Sequence, residues 1–228
     1  MRKKKLGFTL AETATAMGIV GIIAAIVVPM LVTSAEARKS GATLGRLVEQ
    51  VSLGNQNLMQ FANSRRTDGS FSETLSTVSL KDLNLGASDI SSVLPQQFKS
   101  IIPPYWGLNN AQIAPSSILS VKNASGSGND STVNSGIVDS TCYNFAKQSS
   151  AVCISGKATL SADPLEKTGY VLYFDVNGLS TQPNRVGKDI FGFDLLNNGQ
   201  LVPTSGEIGA YTRAVVEDGY RNLGRKKS

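Results

Sequence analysis

The sequence predicts an α+β protein, a long N-terminal helix packed against a small antiparallel β-sheet, on three observations. Residues 14 to 32 run for 19 positions without a charge. Apolar residues then recur in steps of three and four through about Asn63, the spacing of an amphipathic helix. After Ala151, short β-rich runs alternate with turn pairs such as Asn177-Gly178 and Asn198-Gly199.

The uncharged run, ATAMGIVGIIAAIVVPMLV, would extend about 28 Å as a helix, close to the thickness of a bilayer core. Arg2, Lys3, Lys4 and Lys5 precede it, and Arg38 and Lys39 follow. The heavier basic flank is N-terminal, so that end should stay cytoplasmic and the bulk of the chain should lie outside. A secretory signal cut after Thr33-Ser34-Ala35 would look similar and would leave a mature start at Glu36. Against it, the run exceeds the usual length of a signal core, about 7–15 residues, and Glu12 sits near its start.

Glu12 is costly there. A carboxylate at mid-membrane costs roughly 2.5–3.5 kcal/mol, less near the interface, and no Lys or Arg lies between Lys5 and Arg38 to pair with it. Gly18, Gly21 and Pro29 interrupt the same helix, at about 1 kcal/mol for each glycine and 3 for the proline, so the stretch between them is a natural melting point. Ala14 with Gly18 and Gly21 with Ala25 also make small-xxx-small pairs, which favour close helix packing.

From residue 36 to 63 the helix continues amphipathically through Leu44, Leu47, Val48, Val51, Leu58, Phe61 and Ala62, weakened locally by Gly41, Gly45 and Gly54. Residues 64 to 228 form the globular head. Its first part, 64 to 120, is irregular, with a turn at 64 to 69 and a short helix near 80 to 85; Pro95, Pro103, Pro104 and Pro115 forbid long helices. Trp106, beside Pro104 and Ile102, reads as core filling. The Ser-, Gly- and Asn-rich stretch 122 to 136 predicts a mobile surface loop. Cys142 and Cys153, on the exported side, are expected to form a structural disulfide. Strands are expected at 151 to 155, 170 to 176, 190 to 196 and 200 to 202.

Composition removes much chemistry. The 228 residues include no histidine, so neither a Ser-His-Asp triad nor an HExxH zinc site can be assembled within the chain. Two cysteines are too few for a four-thiolate metal site. Gly126-Ser127-Gly128 lacks the third glycine of a dinucleotide fingerprint, and Gly187-Lys188-Asp189 has neither the leading glycine nor the Ser/Thr of a phosphate loop. The formal charge of +5 is concentrated at the two ends, in residues 2 to 5 and in Arg221, Arg225, Lys226 and Lys227. DNA binding is therefore not indicated, and the basic tail reads as a solvated terminus.

Lys5-Leu6-Gly7-Phe8-Thr9-Leu10-Ala11-Glu12 resembles the processing site of type IV prepilins and type II secretion pseudopilins: a basic leader ending in glycine, a Phe-Thr-Leu-x-Glu start and an apolar helix. The resemblance covers about residues 1 to 35, and Pro29 falls where many such helices carry a proline. It implies a leader of residues 1 to 7, cleavage between Gly7 and Phe8 by a prepilin peptidase, methylation of the Phe8 amine, and a transmembrane and assembly helix over 8 to 35. It further implies an inner-membrane precursor with a cytoplasmic N-terminus, incorporated by an assembly platform into a pilus or secretion pseudopilus of like or unlike subunits. Glu12 of one subunit would then pair with the Phe8 amine of its neighbour, with Gly18, Gly21 and Pro29 as the helix break. Such a chain is not an enzyme. A membrane-tethered binding or enzymatic domain is the alternative.

The segment Asp175-Val176-Asn177-Gly178, with Pro183-Asn184, Gly187, Asp189, Phe191 and Phe193, resembles a C-terminal pattern of prepilin-like proteins. No cofactor is required, but oxygens of Asp175, Asn177 and Asp189 could hold Ca²⁺. Its spacing is not an EF-hand, and turn capping by Asp and Asn accounts for the same residues without metal.

Overall fold

The computed structural model describes residues 9–65, 71, 74–75, 104–113, 120–156, 163–178 and 184–221. Helix α1, Leu10–Arg65, is a single run of 56 residues, about 84 Å long. It passes through Pro29 unbroken. Thr33 Oγ donates to the Pro29 carbonyl at 3.1 Å, the back-bond of a helical threonine to the residue four before it.

The two halves of α1 have opposite surroundings. Large apolar side chains from Leu10 to Val32 are exposed all round, with no partner layer on any side among the described residues. From Leu44 on, Leu44, Leu47, Val51, Leu58 and Ala62 are fully buried against the head. Their spacing is the amphipathic stripe expected from the sequence.

Six strands follow: β1 (Leu108–Ile113), β2 (Thr141–Phe145), β3 (Ala151–Gly156), β4 (Lys167–Asp175), β5 (Ile190–Leu196) and β6 (Leu201–Pro203). Each pairs antiparallel with the next, giving one sheet in the order β1-β2-β3-β4-β5-β6. The observed layout is the predicted one, a long N-terminal helix on an antiparallel sheet. Four strands match expectation within three residues at either end. β1 and β2 were not expected, because proline density and a polar stretch obscured their short apolar runs.

The sheet is covered on both faces. Tyr143, Phe145, Val152, Ile154, Leu172, Phe174, Phe191, Phe193 and Leu195 share one core with α1. Cys142, Ala151, Cys153 and Ile190 share a second core with two further helices, α2 (Ser131–Val138) and α3 (Gly206–Glu217). That explains why all seven residues of β5 are buried, where a sheet with one wet face would alternate.

Of the surface loop expected over 122 to 136, residues 124 to 128 are turns and bends, whereas 131 to 136 belong to a helix, which is the correction. Lys122 bridges to Asn129 and to Arg185, and Asp130 Oδ1 accepts the Val133 N–H at 2.9 Å to cap α2. Two apolar residues one turn apart, Val133 and Ile137, suffice to dock this short helix. The disulfide is formed: Cys142 and Cys153 lie directly opposite on β2 and β3, buried beneath α2. Trp106 is fully buried and donates to Asn55 Oδ1 at 2.8 Å, while Asn55 Nδ2 donates to the Gly199 carbonyl at 2.8 Å, tying α1 to the turn after β5.

The turn at 64 to 69, apart from its first two residues, the short helix near 80 to 85, Pro95, Pro103, Pro115 and the tail beyond Arg221 lie outside the described residues.

Candidate functional site

Two places carry the residues singled out by sequence: the start of α1 and the connection from β4 to β5. Gly7 and Phe8 lie outside the described residues, whereas Glu12 lies within them. Thr9 stands before the first helical residue. Its N–H and its Oγ both donate to Glu12 Oε2 at 2.8 Å, and the Glu12 N–H donates back to Thr9 Oγ at 3.3 Å. This reciprocal arrangement is a capping box, with the acid at the third helical position. The carboxylate also faces the positive end of the helix dipole. The sequence motif includes Thr9, and its capping role is legible in Thr-Leu-Ala-Glu, which carries the S/T-x-x-E signature.

Gly18 and Gly21 face open space: a Cβ built on either meets nothing within 4 Å. No described residue of this chain packs on Gly18 or Gly21. Among the described residues, one helix is long and apolar enough to cross a membrane, and it is α1.

At the other place, the fold brings Asp175, Asn177 and Asp189 together. Asp175 ends β4, and its Oδ1 accepts the Gly178 N–H at 2.9 Å. Gly178 has φ +81°, and a Cβ there would lie 2.0 Å from the Ser149 carbonyl oxygen, so glycine is required. Asn177 Nδ2 donates to Asp189 Oδ1 at 3.1 Å. Asp189 in turn belongs to the tight turn that opens β5, and the Val176 N–H donates to its carbonyl at 3.0 Å. Gly187, φ +75°, is covered by the Tyr211 ring. The capping reading therefore accounts for most of the motif.

It does not account for the charge. Asp175 is 1% exposed, and its Oδ2 has no hydrogen-bond partner among the described residues. Burial, joined by the nearby Asp189 carboxylate and opposed by the Gly178 and Asn177 N–H groups, pushes its carboxyl up to about 7. Burial likewise pushes Asp189 up to about 6, held back by the charges of Lys188 and Arg185. Among the described residues no group of three or more acid, cysteine or histidine side chains is placed to hold a metal. The two carboxylates and one amide supply charge and an unsatisfied oxygen, but fewer than the six to eight oxygens that Ca²⁺ takes.

No family model, curated protein or solved structure matches the chain.

Proposed function

We propose that this chain is a pilin-like structural subunit that is anchored in a membrane by α1 and assembled through the same helix into a pilus or secretion pseudopilus. One observation carries the reading: among the described residues the apolar stretch of α1 from Leu10 to Val32 is exposed on every side, and it holds a single acid, Glu12, close to its start. A surface of this kind is stable only in lipid or among copies of itself. The preceding Lys5-Leu6-Gly7-Phe8 sequence supports removal of a leader by a prepilin peptidase.

Cleavage after Gly7 would free an ammonium at Phe8, one residue before the capping box. Both Thr9 bonds fall on Glu12 Oε2, so an intersubunit pair through Oε1 is compatible with the cap. In a low-dielectric bundle, such a pair would hold the incoming helix in one register against its neighbour. The partners are then other subunits, the peptidase, an assembly platform and the membrane, and the role is assembly and surface display rather than turnover.

The alternative, a tethered binding or enzymatic domain, uses Glu12 only as the cap of its helix. Glu12→Ala is the discriminating experiment. The filament reading expects the variant to reach the membrane at wild-type level, with polymer falling at least tenfold. Undiminished polymer, or complementation of function by Glu12→Ala, would contradict it. Ca²⁺ at Asp175, Asn177 and Asp189 is a separate proposal, supported by the buried, unpaired Oδ2 of Asp175. The ion would neutralise the two carboxylates and brace the β4–β5 connection.

A further inference from the structure

We propose that Asn129 carries an N-linked oligosaccharide, added on the exported side of the membrane from a lipid-diphosphate donor. The proposal rests on the outward topology of the head and adds a covalent modification to it. Two Asn-x-Ser sequons occur in the chain, Asn123-Ala124-Ser125 and Asn129-Asp130-Ser131. That pattern is the acceptor signature of N-glycosylation, a modification of exported surfaces. The structure separates the two.

The first sequon is closed. Asn123 is half-buried, and its Oδ1 accepts the Ser125 hydroxyl at 2.8 Å and the Ser127 N–H at 3.2 Å. The Ser125 hydroxyl also lies 2.6 Å from that of Ser127. The amide and the hydroxyl that a transferase reads are thus tied into one turn. The second sequon is open. Asn129 and Ser131 are exposed, on either side of Asp130, whose carboxylate caps α2. Helix α2 has eight residues and buries only Val133 and Ile137, so its first turn can open locally to present extended chain.

The surroundings suit a sugar. Asn129 lines a cleft of about 310 Å³ between the N-terminal turns of α2 and α3. Ser131, Thr132, Ser205 and Glu207 line it too, offering hydroxyl and carboxylate partners to the hydroxyls of a first saccharide. Val133 and Ile137 belong to the core on the face of the sheet opposite α1. A glycan here stands clear of the helix that anchors the chain, and its bulk adds solubility at the outer surface.

The transfer balances without a redox partner. Nδ2 of Asn129 attacks the anomeric carbon of the lipid-linked oligosaccharide. The N–C bond forms, the C–O bond to the diphosphate breaks, the lipid diphosphate leaves, and the amide proton passes to a base of the membrane oligosaccharyltransferase.

The test uses the full chain purified from its native membrane. Trypsin releases residues 123–147 as one peptide carrying both sequons, and electron-transfer fragmentation assigns any sugar to its residue. We expect an oligosaccharide mass on Asn129, lost in Asn129→Gln and in Ser131→Ala and restored in Ser131→Thr. Asn123→Gln and Ser125→Ala should keep it. An unmodified Asn129, a sugar on Asn123 or on a hydroxyl instead, or a sugar that survives Ser131→Ala would overturn the proposal. Protease added outside the intact membrane is read first. A head that it cannot reach would overturn the export reading and the glycan with it, whereas a digested head with a bare Asn129 would overturn the glycan alone.

Discussion

Asp175 and Asp189 are acids held where their protonated forms are favoured. In an unfolded chain they release protons near their ordinary value of 3.8, whereas in the fold they hold them to about 7 and about 6. The folded state therefore binds more protons across this interval, and stability must fall as pH rises from about 4 to about 7. Denaturant midpoints at pH 5 and pH 8 should differ in that direction, and Asp175→Asn should flatten the difference, because its amide oxygen can still accept the Gly178 N–H. An unchanged slope in the variant would count against the burial account. Added Ca²⁺ should raise the melting temperature more at pH 8 than at pH 5 if the ion binds here, and no shift at either pH would end the calcium proposal. At this scale the sequence was partly legible. The resemblance to a C-terminal pattern of prepilin-like proteins grouped Asp175, Asn177 and Asp189, and Trp106 could be placed in the core. That one carboxyl oxygen is buried without a partner depends on the packing of β4 against the turn before β5, which no local pattern encodes.

At the scale of elements, close approach decides what substitution costs. Gly54 was legible as a weak point of an amphipathic helix, but its purpose is not propensity. A Cβ there would lie 2.4 Å from the Tyr105 carbonyl oxygen and 2.8 Å from Trp106 Cδ1, because the chain at 104–107 crosses α1 at that point. Gly54→Ala should therefore destabilise by about 1–3 kcal/mol, as overpacked cores do, despite a gain in helix propensity. A stabilised variant would refute the crossing. The Cys142–Cys153 bridge links β2 to β3 within the second core, and Cys142→Ala with Cys153→Ala should cost about 2–4 kcal/mol, read by equilibrium unfolding. The elements that were not foreseen share one cause. α2, α3, β1 and β2 are short, with mixed composition, and they are held by tertiary packing in the two cores on either face of the sheet. That packing is a tertiary fact, and composition alone made residues 131 to 136 look like part of the loop before them.

The whole molecule divides at about residue 40. Above it, α1 is one wall of a three-layer head. Below it, from Leu10 to Val32, α1 is apolar and its large side chains are exposed among the described residues. Continuous apolar character followed by a period of three and four made this division visible in the sequence, since the two environments impose different patterns on one helix. What the bare half packs against was not legible in its periodicity, because a helix apolar on all sides has no preferred face. The leader motif and Glu12 carry that part of the argument. Intact-mass analysis of the chain isolated from its native membrane tests it most directly. A mature protein that begins at methylated Phe8 is the result expected, and a chain that keeps Met1 to Gly7, or begins at Glu36, would contradict it.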